Sequence, residues 1–178
     1  MKALAIVLAA RLCAQAVPPD PAPFADFAKR VGSYMQIHKA AEEDLGALSP
    51  TKSPKQIHEK MNSIAEGVRA KRATAAQGEI FTPAIATEFR KLIADDVKNR
   101  PKRIRQSIRS GERVAAKVKV NGSYPEGLPV QTMPPSLLAT LPKLPTELDY
   151  RLVGATLVLR DVSANLIIDF LPNAIAIQ

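Results

Sequence analysis

The sequence HEKMN, which runs from His58 to Asn62, comes within one residue of a zinc-protease motif. In H-E-x-x-H, two imidazoles one helical turn apart bind zinc while the glutamate activates a water molecule. Here Asn62 stands in place of the second imidazole, and an asparagine amide is a weak zinc ligand. The motif lacks a group on which its chemistry depends, so a metalloprotease is not expected.

His38 and Glu42 offer a second arrangement, because residues four apart lie on one face of a helix. If His58 packs beside them, two imidazoles and a carboxylate would form a minimal metal site. A protonated imidazole beside Glu42 could instead act as a pH switch. His38, however, falls on an apolar stripe between Tyr34 and Ala41, which favours a buried, hydrogen-bonded histidine. His38, Glu42 and His58 are weak candidate ligands, and the sequence predicts no metal and no cofactor.

The other carboxylates that could be recruited for acid–base work, at Asp95, Asp96, Asp161 and Asp169, do not form a catalytic pair. Asp95 and Asp96 are adjacent and would point in different directions on a helix, and Asp161 is most simply a turn former at a strand end. The chain has no Gly-x-Ser-x-Gly sequence, no phosphate-binding glycine loop and no dinucleotide fingerprint. The sequence therefore favours a protein that is not an enzyme.

The first sixteen residues have the pattern of a secretory signal peptide. Lys2 supplies a positive charge, an apolar run follows from Ala3 to Ala10, and Ala14-Gln15-Ala16 is a small-x-small cleavage site. The apolar run is far shorter than the ~20 residues that cross a bilayer, so no transmembrane span is predicted. We expect an exported protein, periplasmic or secreted, cleaved near Ala16. Its single cysteine, Cys13, would leave with the leader, which excludes thiol catalysis and cysteine zinc sites.

Positive charge is concentrated between residues 98 and 119, a stretch called the basic segment below. It carries a net charge of +8, from one acid, Glu112, and nine basic residues: Lys98, Arg100, Lys102, Arg103, Arg105, Arg109, Arg113, Lys117 and Lys119. The whole chain also carries +8, and loss of Lys2 and Arg11 with the leader would leave +6. The rest of the mature chain therefore sums to −2, so the basicity is local.

A local positive field of this kind suits an anionic surface. Nucleic acid is not an expected partner, because an exported protein would rarely meet it. The alternative is that the segment is simply a solvated helix face and strand edge, as most charge runs are.

Apolar spacing predicts three main helices followed by a short one. The main helices begin at Phe24, at Ser53-Pro54 and at Thr82-Pro83, and the short helix lies between Pro101 and Gly111. The Ser-Pro and Thr-Pro pairs combine an N-cap residue with a proline at the first helical position. We expect the first two helices to pack as an antiparallel hairpin that the third covers.

The period of the sequence changes after Gly111. Residues 114–120 alternate and predict a strand that ends at the Asn121-Gly122 turn. A proline-rich loop follows, with one helical turn around residues 136–140. Three short runs at 150–153, 156–160 and 165–170 then predict an antiparallel meander.

Together these elements predict an α+β fold, with an N-terminal helical hairpin inside a three- to four-helix unit and a small antiparallel β-meander behind it. In residue numbers, 1–16 is the signal peptide, 17–111 is the helical region, and 112–178 is the β-rich region with its proline-rich loop. The two regions could also form one compact domain.

The end of the chain resembles a small module of bacterial periplasmic proteins. It reads L-P-K-L-P from Leu141, a strand opened by Tyr150-Arg151, a turn at Gly154, an apolar strand ending at Asp161, and a closing strand. It is similar to the C-terminal part of periplasmic accessory proteins of nickel and cobalt homeostasis, and the resemblance implies a β-meander. Those proteins carry His-rich or charged upstream sequence that is absent here, so no metal role follows. With GEIFTP at 78–83, the whole chain also resembles uncharacterised exported bacterial proteins, which implies no activity.

Three functions remain open on these observations. The first is a non-enzymatic exported protein that binds a protein or an anionic envelope surface through the basic segment. The second is a structural protein that self-associates through the apolar stripe of its first helix, as in a coiled coil. The third is a metal-binding or pH-sensing protein that uses His38 and His58.

Overall fold

The computed structural model describes residues 21–46, 53–100, 117–125 and 133–175. The predicted leader, residues 101–116 of the basic segment and the predicted short helix after Pro101 lie outside the described residues. The described chain forms α1 (Pro21–Glu43), α2 (Pro54–Lys71), α3 (Pro83–Lys98), α4 (Pro135–Thr140), β1 (Leu148–Val153), β2 (Thr156–Asp161) and β3 (Leu166–Leu171). The fold is α+β, with helices before a three-stranded antiparallel meander, as the sequence predicts.

Each of these four helices begins with a proline: Pro21, Pro54, Pro83 and Pro135. Proline is favourable there because the first backbone N–H of a helix has no partner to lose. The predicted starts of α2 and α3 are confirmed, and α1 starts three residues before the predicted Phe24. None of the helices in the described ranges has the length and apolarity that a membrane crossing requires.

The inner face of α1 fixes the position of the only histidine in that helix. Its buried residues follow spacings of four and three: Phe27, Val31, Tyr34, His38 and Ala41. Two of these five are polar, so the core must supply hydrogen-bond partners for them. The helix ends at Glu43, and Gly46 takes a left-handed φ of 70° just beyond it.

α2 contacts α1 through its second half. Ile64 and Val68 are buried there, whereas Ile57, on the first turn of α2, is 51% exposed. A Cβ atom placed on Gly67 would lie 3.0 Å from Cβ of Ala41, so the glycine permits a close approach of the two helices.

The sheet has the order β1-β2-β3 with tight turns between the strands. Gly154 and Asn165 take positive φ angles of 58° and 48° in these turns. Arg160 pairs with Ile167 while Leu159 pairs with Asp169, so Ile168 is the extra residue of a β-bulge. Ile168 and the adjacent Asp169 are both fully buried.

The main core lies between the helices and one face of the sheet. At its centre Phe27, Phe81, Phe89 and Tyr150 form a cluster of rings whose centroids lie 5.0 to 6.5 Å apart. A smaller cluster, formed by Tyr124, Val153, Val158 and Ile167, covers the opposite face of the sheet. The sheet is therefore buried on both faces, which the mainly apolar sequence of β2 and β3 reflects.

The predicted strand at 114–120 is wrong in its described part, because residues 117–120 have no strand conformation. The chain instead turns at Asn121, whose φ is 60°, as the Asn-Gly pair predicts. The Asn121 N–H donates to the Ile167 carbonyl, and the Ile167 N–H donates to the Gly122 carbonyl, both at 2.9 Å. The turn itself therefore occupies the outer edge of β3, and this leaves residues 117–120 without a strand partner.

Candidate functional site

Tyr34, His38 and Asp161 form a buried, hydrogen-bonded cluster. The Tyr34 hydroxyl donates to Oδ2 of Asp161 at 2.5 Å, and Nδ1 of His38 lies 2.6 Å from the same oxygen. The other oxygen, Oδ1, accepts the Ala164 N–H at 2.9 Å. His38 is 2% exposed and Asp161 is fully buried, so bulk water does not reach the cluster.

Two elements position these side chains. Tyr34 and His38 are four residues apart on α1, so both project toward the same side. Asp161 is the last residue of β2, and its bond to the Ala164 N–H holds the following turn. That turn-forming role is the predicted one, but the two further bonds from α1 are not evident in the sequence.

The cluster favours a charged pair of His38 and Asp161. The hydrogen bond to Asp161 raises the pKa of His38 and outweighs the opposite effect of burial. Burial alone would raise the pKa of Asp161, but the hydrogen bonds from His38, Tyr34 and the Ala164 N–H bring it below its usual range. Burial and the Asp161 charge also raise the pKa of Tyr34, which keeps its hydroxyl a donor.

The second ring nitrogen of His38 faces a second carboxylate. Nε2 is buried and has no hydrogen-bond partner among the described residues, and Oε2 of Glu42 lies 3.6 Å away. The structure thus brings His38 and Glu42 together, with Asp161 on the other side of the ring. An imidazolium in this position is attracted to both carboxylates. The Glu42 carboxylate is partly exposed, and the Asp161 carboxylate is buried.

The cluster has two parts of a nucleophilic triad, an acid and an imidazole, but no third part. In such a triad the free imidazole nitrogen contacts a hydroxyl or thiol that a substrate can reach. Nε2 of His38 has no such partner in the described part of the chain, and the ring is almost fully buried. The arrangement is suited to holding α1 against the sheet rather than to acid–base chemistry.

His58 is exposed on the first half of α2, whereas the cluster of Tyr34, His38 and Asp161 is buried. Within the described ranges, no group of three or more histidine, cysteine, aspartate or glutamate residues is placed to hold a metal ion. The candidate set of His38, Glu42 and His58 is therefore not assembled.

Arg72 and Asp169 are two further buried charges, and the sequence predicts no site for either of them. Arg72 donates to Oε2 of Glu79 at 2.7 Å and to the Ile168 carbonyl at 3.1 Å, and its guanidinium carbon lies 5.1 Å from the centre of the Tyr34 ring. This cation–π contact packs the Arg72 guanidinium against the face of the Tyr34 ring and stabilises the position of the ring. Arg72 thereby ties the end of α2 both to β3 and to the His38 cluster.

Asp169 anchors the loop between α2 and α3. Its carboxylate accepts backbone N–H groups from Gly78 at 3.0 Å and from Ile80 and Phe81 at 2.8 Å. The sequence does contain a signal, because Asp169 is a lone charge within the apolar run of β3, and a buried charge requires partners. The identity of those partners depends on the tertiary fold.

Four of the nine cations of the basic segment lie within the described residues. Lys98, Lys117 and Lys119 are exposed, and none of them forms an ion pair with another described residue. Arg100 is held instead, with Nη2 2.6 Å from Oδ2 of Asp96 and a second bond to the Ser136 hydroxyl. The remaining five, Lys102, Arg103, Arg105, Arg109 and Arg113, lie outside the described residues.

Comparison with known proteins adds no identity. No protein-family model, no curated protein and no solved structure matches this chain. The resemblance of the tail to periplasmic nickel and cobalt accessory proteins therefore stays a prediction, although the meander it implies is present.

Proposed function

We propose that this chain is an exported, non-enzymatic protein that attaches to an anionic surface of the cell envelope through the basic segment. The observation that carries the proposal is the separation of charge along the chain. Residues 98–119 hold a net charge of +8 out of +8 in total. An attraction of about 1 kcal/mol per basic residue near an anionic membrane would make this one stretch sufficient for attachment.

The described ends of the basic segment support this proposal. At one end of the segment Lys98, the last residue of α3, is exposed to solvent. At the other end Lys117 and Lys119 are exposed as well. Arg100 contributes less than its charge suggests, because Asp96 neutralises it in a nearly buried pair. We therefore assign surface binding to the eight remaining cations.

The buried cluster supports the non-enzymatic half of the proposal. His38 is the histidine with the strongest acid–base partner, yet it is inaccessible and lacks a nucleophile in the described chain. Coiled-coil self-association through α1 is not favoured, since the stripe from Phe27 to Ala41 already packs against the rest of the chain.

The test is co-sedimentation of the purified protein with vesicles. Vesicles that contain an anionic phospholipid should retain the protein at low salt, and vesicles of zwitterionic lipid alone should not. Retention on both lipids alike would overturn electrostatic attachment. If neither vesicle type retains the protein, and a protein partner is captured in a way that depends on the basic segment, the binding partner is a protein and not an anionic surface.

A pH response is the second candidate, and the position of His38 between Asp161 and Glu42 is the observation that favours it. Loss of the imidazole proton would leave the buried Asp161 without its counter-charge and would loosen α1 from β2. A change in near-ultraviolet circular dichroism that begins above pH 6.5, is followed up to the pH at which the protein unfolds, and disappears in His38→Gln would support this function. An unchanged spectrum in the wild-type protein would exclude it.

A further inference from the structure

β1 forms one edge of the sheet. The Val162 N–H donates to the Glu147 carbonyl, and an antiparallel ladder bonds every second residue, so the odd-numbered residues of β1 bond to β2. The N–H and C=O groups of Tyr150 and Leu152 therefore point away from β2. Among the described residues these groups have no hydrogen-bond partner. In this sense the edge is open in that part of the chain, because its backbone groups are unpaired there, although Tyr150 and Leu152 as whole residues are only 6% and 5% exposed.

A pocket of about 330 Å³ lies along this edge. Four consecutive residues of β1, 148–151, line it, although their side chains alternate between the two faces. The pocket must therefore adjoin the backbone edge of the strand rather than one face. Its other wall is mainly apolar and includes Leu138, which is 44% exposed. An apolar pocket beside unpaired backbone groups is suited to an added strand.

The sequence of β1 is charge-complementary to itself when read in the opposite direction. Leu148-Asp149-Tyr150-Arg151-Leu152 places an acid and a base symmetrically about Tyr150. Asp149 and Arg151 lie on the same face, 2.6 Å apart between Oδ2 and Nη2. A second copy of the strand, running antiparallel with Tyr150 at the centre, would set each Asp149 opposite an Arg151.

Charge also selects this register over its neighbours. The open edge allows only registers that pair even-numbered residues with each other, so alternatives differ by shifts of two. One such shift places Asp149 opposite Asp149 of the second copy, and the other places Arg151 opposite Arg151. Like charges directly opposite each other destabilise a strand pair, whereas opposite charges stabilise it.

We propose that β1 pairs with β1 of a second copy of this chain, antiparallel and centred on Tyr150, so that the two sheets become one. In this pairing Leu152 of the second copy stands opposite Leu148, which lines the apolar pocket, and the two-fold symmetry repeats this contact in both copies. The dimer covers the β1 edge of each copy, so no further strand can be added at β1. The pairing is independent of the proposed surface attachment, because β1 and the pocket contain no residue of the basic segment.

A charge exchange tests the pairing. In Arg151→Glu both central residues become acidic, and in Asp149→Arg both become basic, so each variant repels its own copy. Sedimentation equilibrium should show a concentration-dependent dimer for the wild-type protein, an association at least about tenfold weaker for each variant alone, and a restored dimer when the two variants are mixed. A wild-type monomer at every concentration, or dimers that neither variant weakens, would overturn the proposal.

Arg160→Gln is the matched control. Arg160 contacts Asp149 at 2.8 Å from β2, but it does not face the open edge. This variant also removes a partner of the Asp149 carboxylate, but at a position away from the edge. If the edge is the interface, the dimer should therefore stay intact. Circular dichroism of all three variants establishes that they are folded, and loss of the dimer in Arg160→Gln would attribute the effect to the fold instead.

Amide hydrogen exchange provides a readout that needs no substitution. In dilute, monomeric protein the Tyr150 and Leu152 amides should exchange faster than those of Asp149 and Arg151, which bond to β2. At high concentration the Tyr150 and Leu152 amides should become protected. Protection that is already present in the monomer would show that another part of the same chain pairs with the edge, and would overturn the proposal.

Discussion

Nδ1 of His38 lies 2.6 Å from Oδ2 of Asp161, and the two residues are 123 positions apart in the chain. This contact joins the C-terminal third of α1 to the end of β2 inside a core that helices and strands share. Because Asp161 is fully buried, its charge depends on His38, Tyr34 and the Ala164 N–H for compensation. The contact makes the cluster a structural tie whose strength depends on protonation.

His38→Ala should strongly destabilise the protein, because it leaves a buried carboxylate without its cation. Breaking one partner of a buried pair costs about 3–5 kcal/mol. Chemical denaturation gives the free energy of unfolding directly. The control is His58→Ala, at an exposed position on α2, which should change that free energy by less than about 0.5 kcal/mol. Equal effects of the two substitutions would contradict the assigned role of His38.

The contribution of the pair should depend on pH in both directions. The pKa of His38 is raised, so its stabilisation is complete below the usual value of 6.5 and is lost as the pH rises through the higher folded value. The pKa of Asp161 is lowered, so its contribution is present above the usual 3.8 and is lost as the pH falls through the lower folded value.

The difference in unfolding free energy between wild type and His38→Gln should therefore be largest between pH 4 and 6.5, judged from those usual values. It should shrink on either side of that range. Denaturation series at several pH values measure it, and a difference that is constant from pH 4 to 9 would show that His38 does not titrate with folding.

Gly67→Ala should weaken the contact between α1 and α2. The added Cβ would lie 3.0 Å from Cβ of Ala41, so overpacking should exceed the gain in helix propensity and leave a net loss of about 1 kcal/mol. Gly32→Ala is the matched control in α1, since nothing lies within 4 Å of its added Cβ. That variant should gain about 0.5–1 kcal/mol. Thermal unfolding of both compares the signs, and the same sign in both would contradict the close crossing.

Asp169→Asn should loosen the loop that follows α2. An amide can accept with one oxygen only, and its NH2 group would face backbone N–H donors of residues 78–81. We expect a loss of about 1–3 kcal/mol and faster exchange of the Ile80 and Phe81 amides. Asp95→Asn, at an exposed position on α3, should alter neither quantity. Unchanged protection of the loop in Asp169→Asn would contradict its anchoring role.

The sequence is informative about elements and less so about contacts between them. The proline starts of α2 and α3 and the three strands of the meander depend on local patterns, and the structure has them where they were expected. The predicted strand before Asn121 is wrong in its described residues, 117–120, because alternation says nothing about which edge is available, and the edge of β3 is taken by the turn itself.

For the candidate site too, the sequence predicts the environment of a residue but not its partner. That His38 would be buried and hydrogen-bonded follows from its place on the α1 stripe. That Asp161 is its partner does not, because the two meet only when β2 ends beside α1 in the folded chain. Likewise, Arg100 belongs to a basic run in the sequence, and only the fold pairs it with Asp96 and Ser136.

Attachment through the basic segment is tested most directly by the partition of the protein onto anionic vesicles. Arg103, Arg105 and Arg109 replaced together by glutamine should lower the partition coefficient about a hundredfold, from about 1 kcal/mol for each residue. The control replaces three exposed lysines of α1 and α2, Lys39, Lys55 and Lys60, by glutamine and so has the same net charge. We expect a large loss in the first variant and a much smaller one in the second. Equal losses, or none in either, would contradict it.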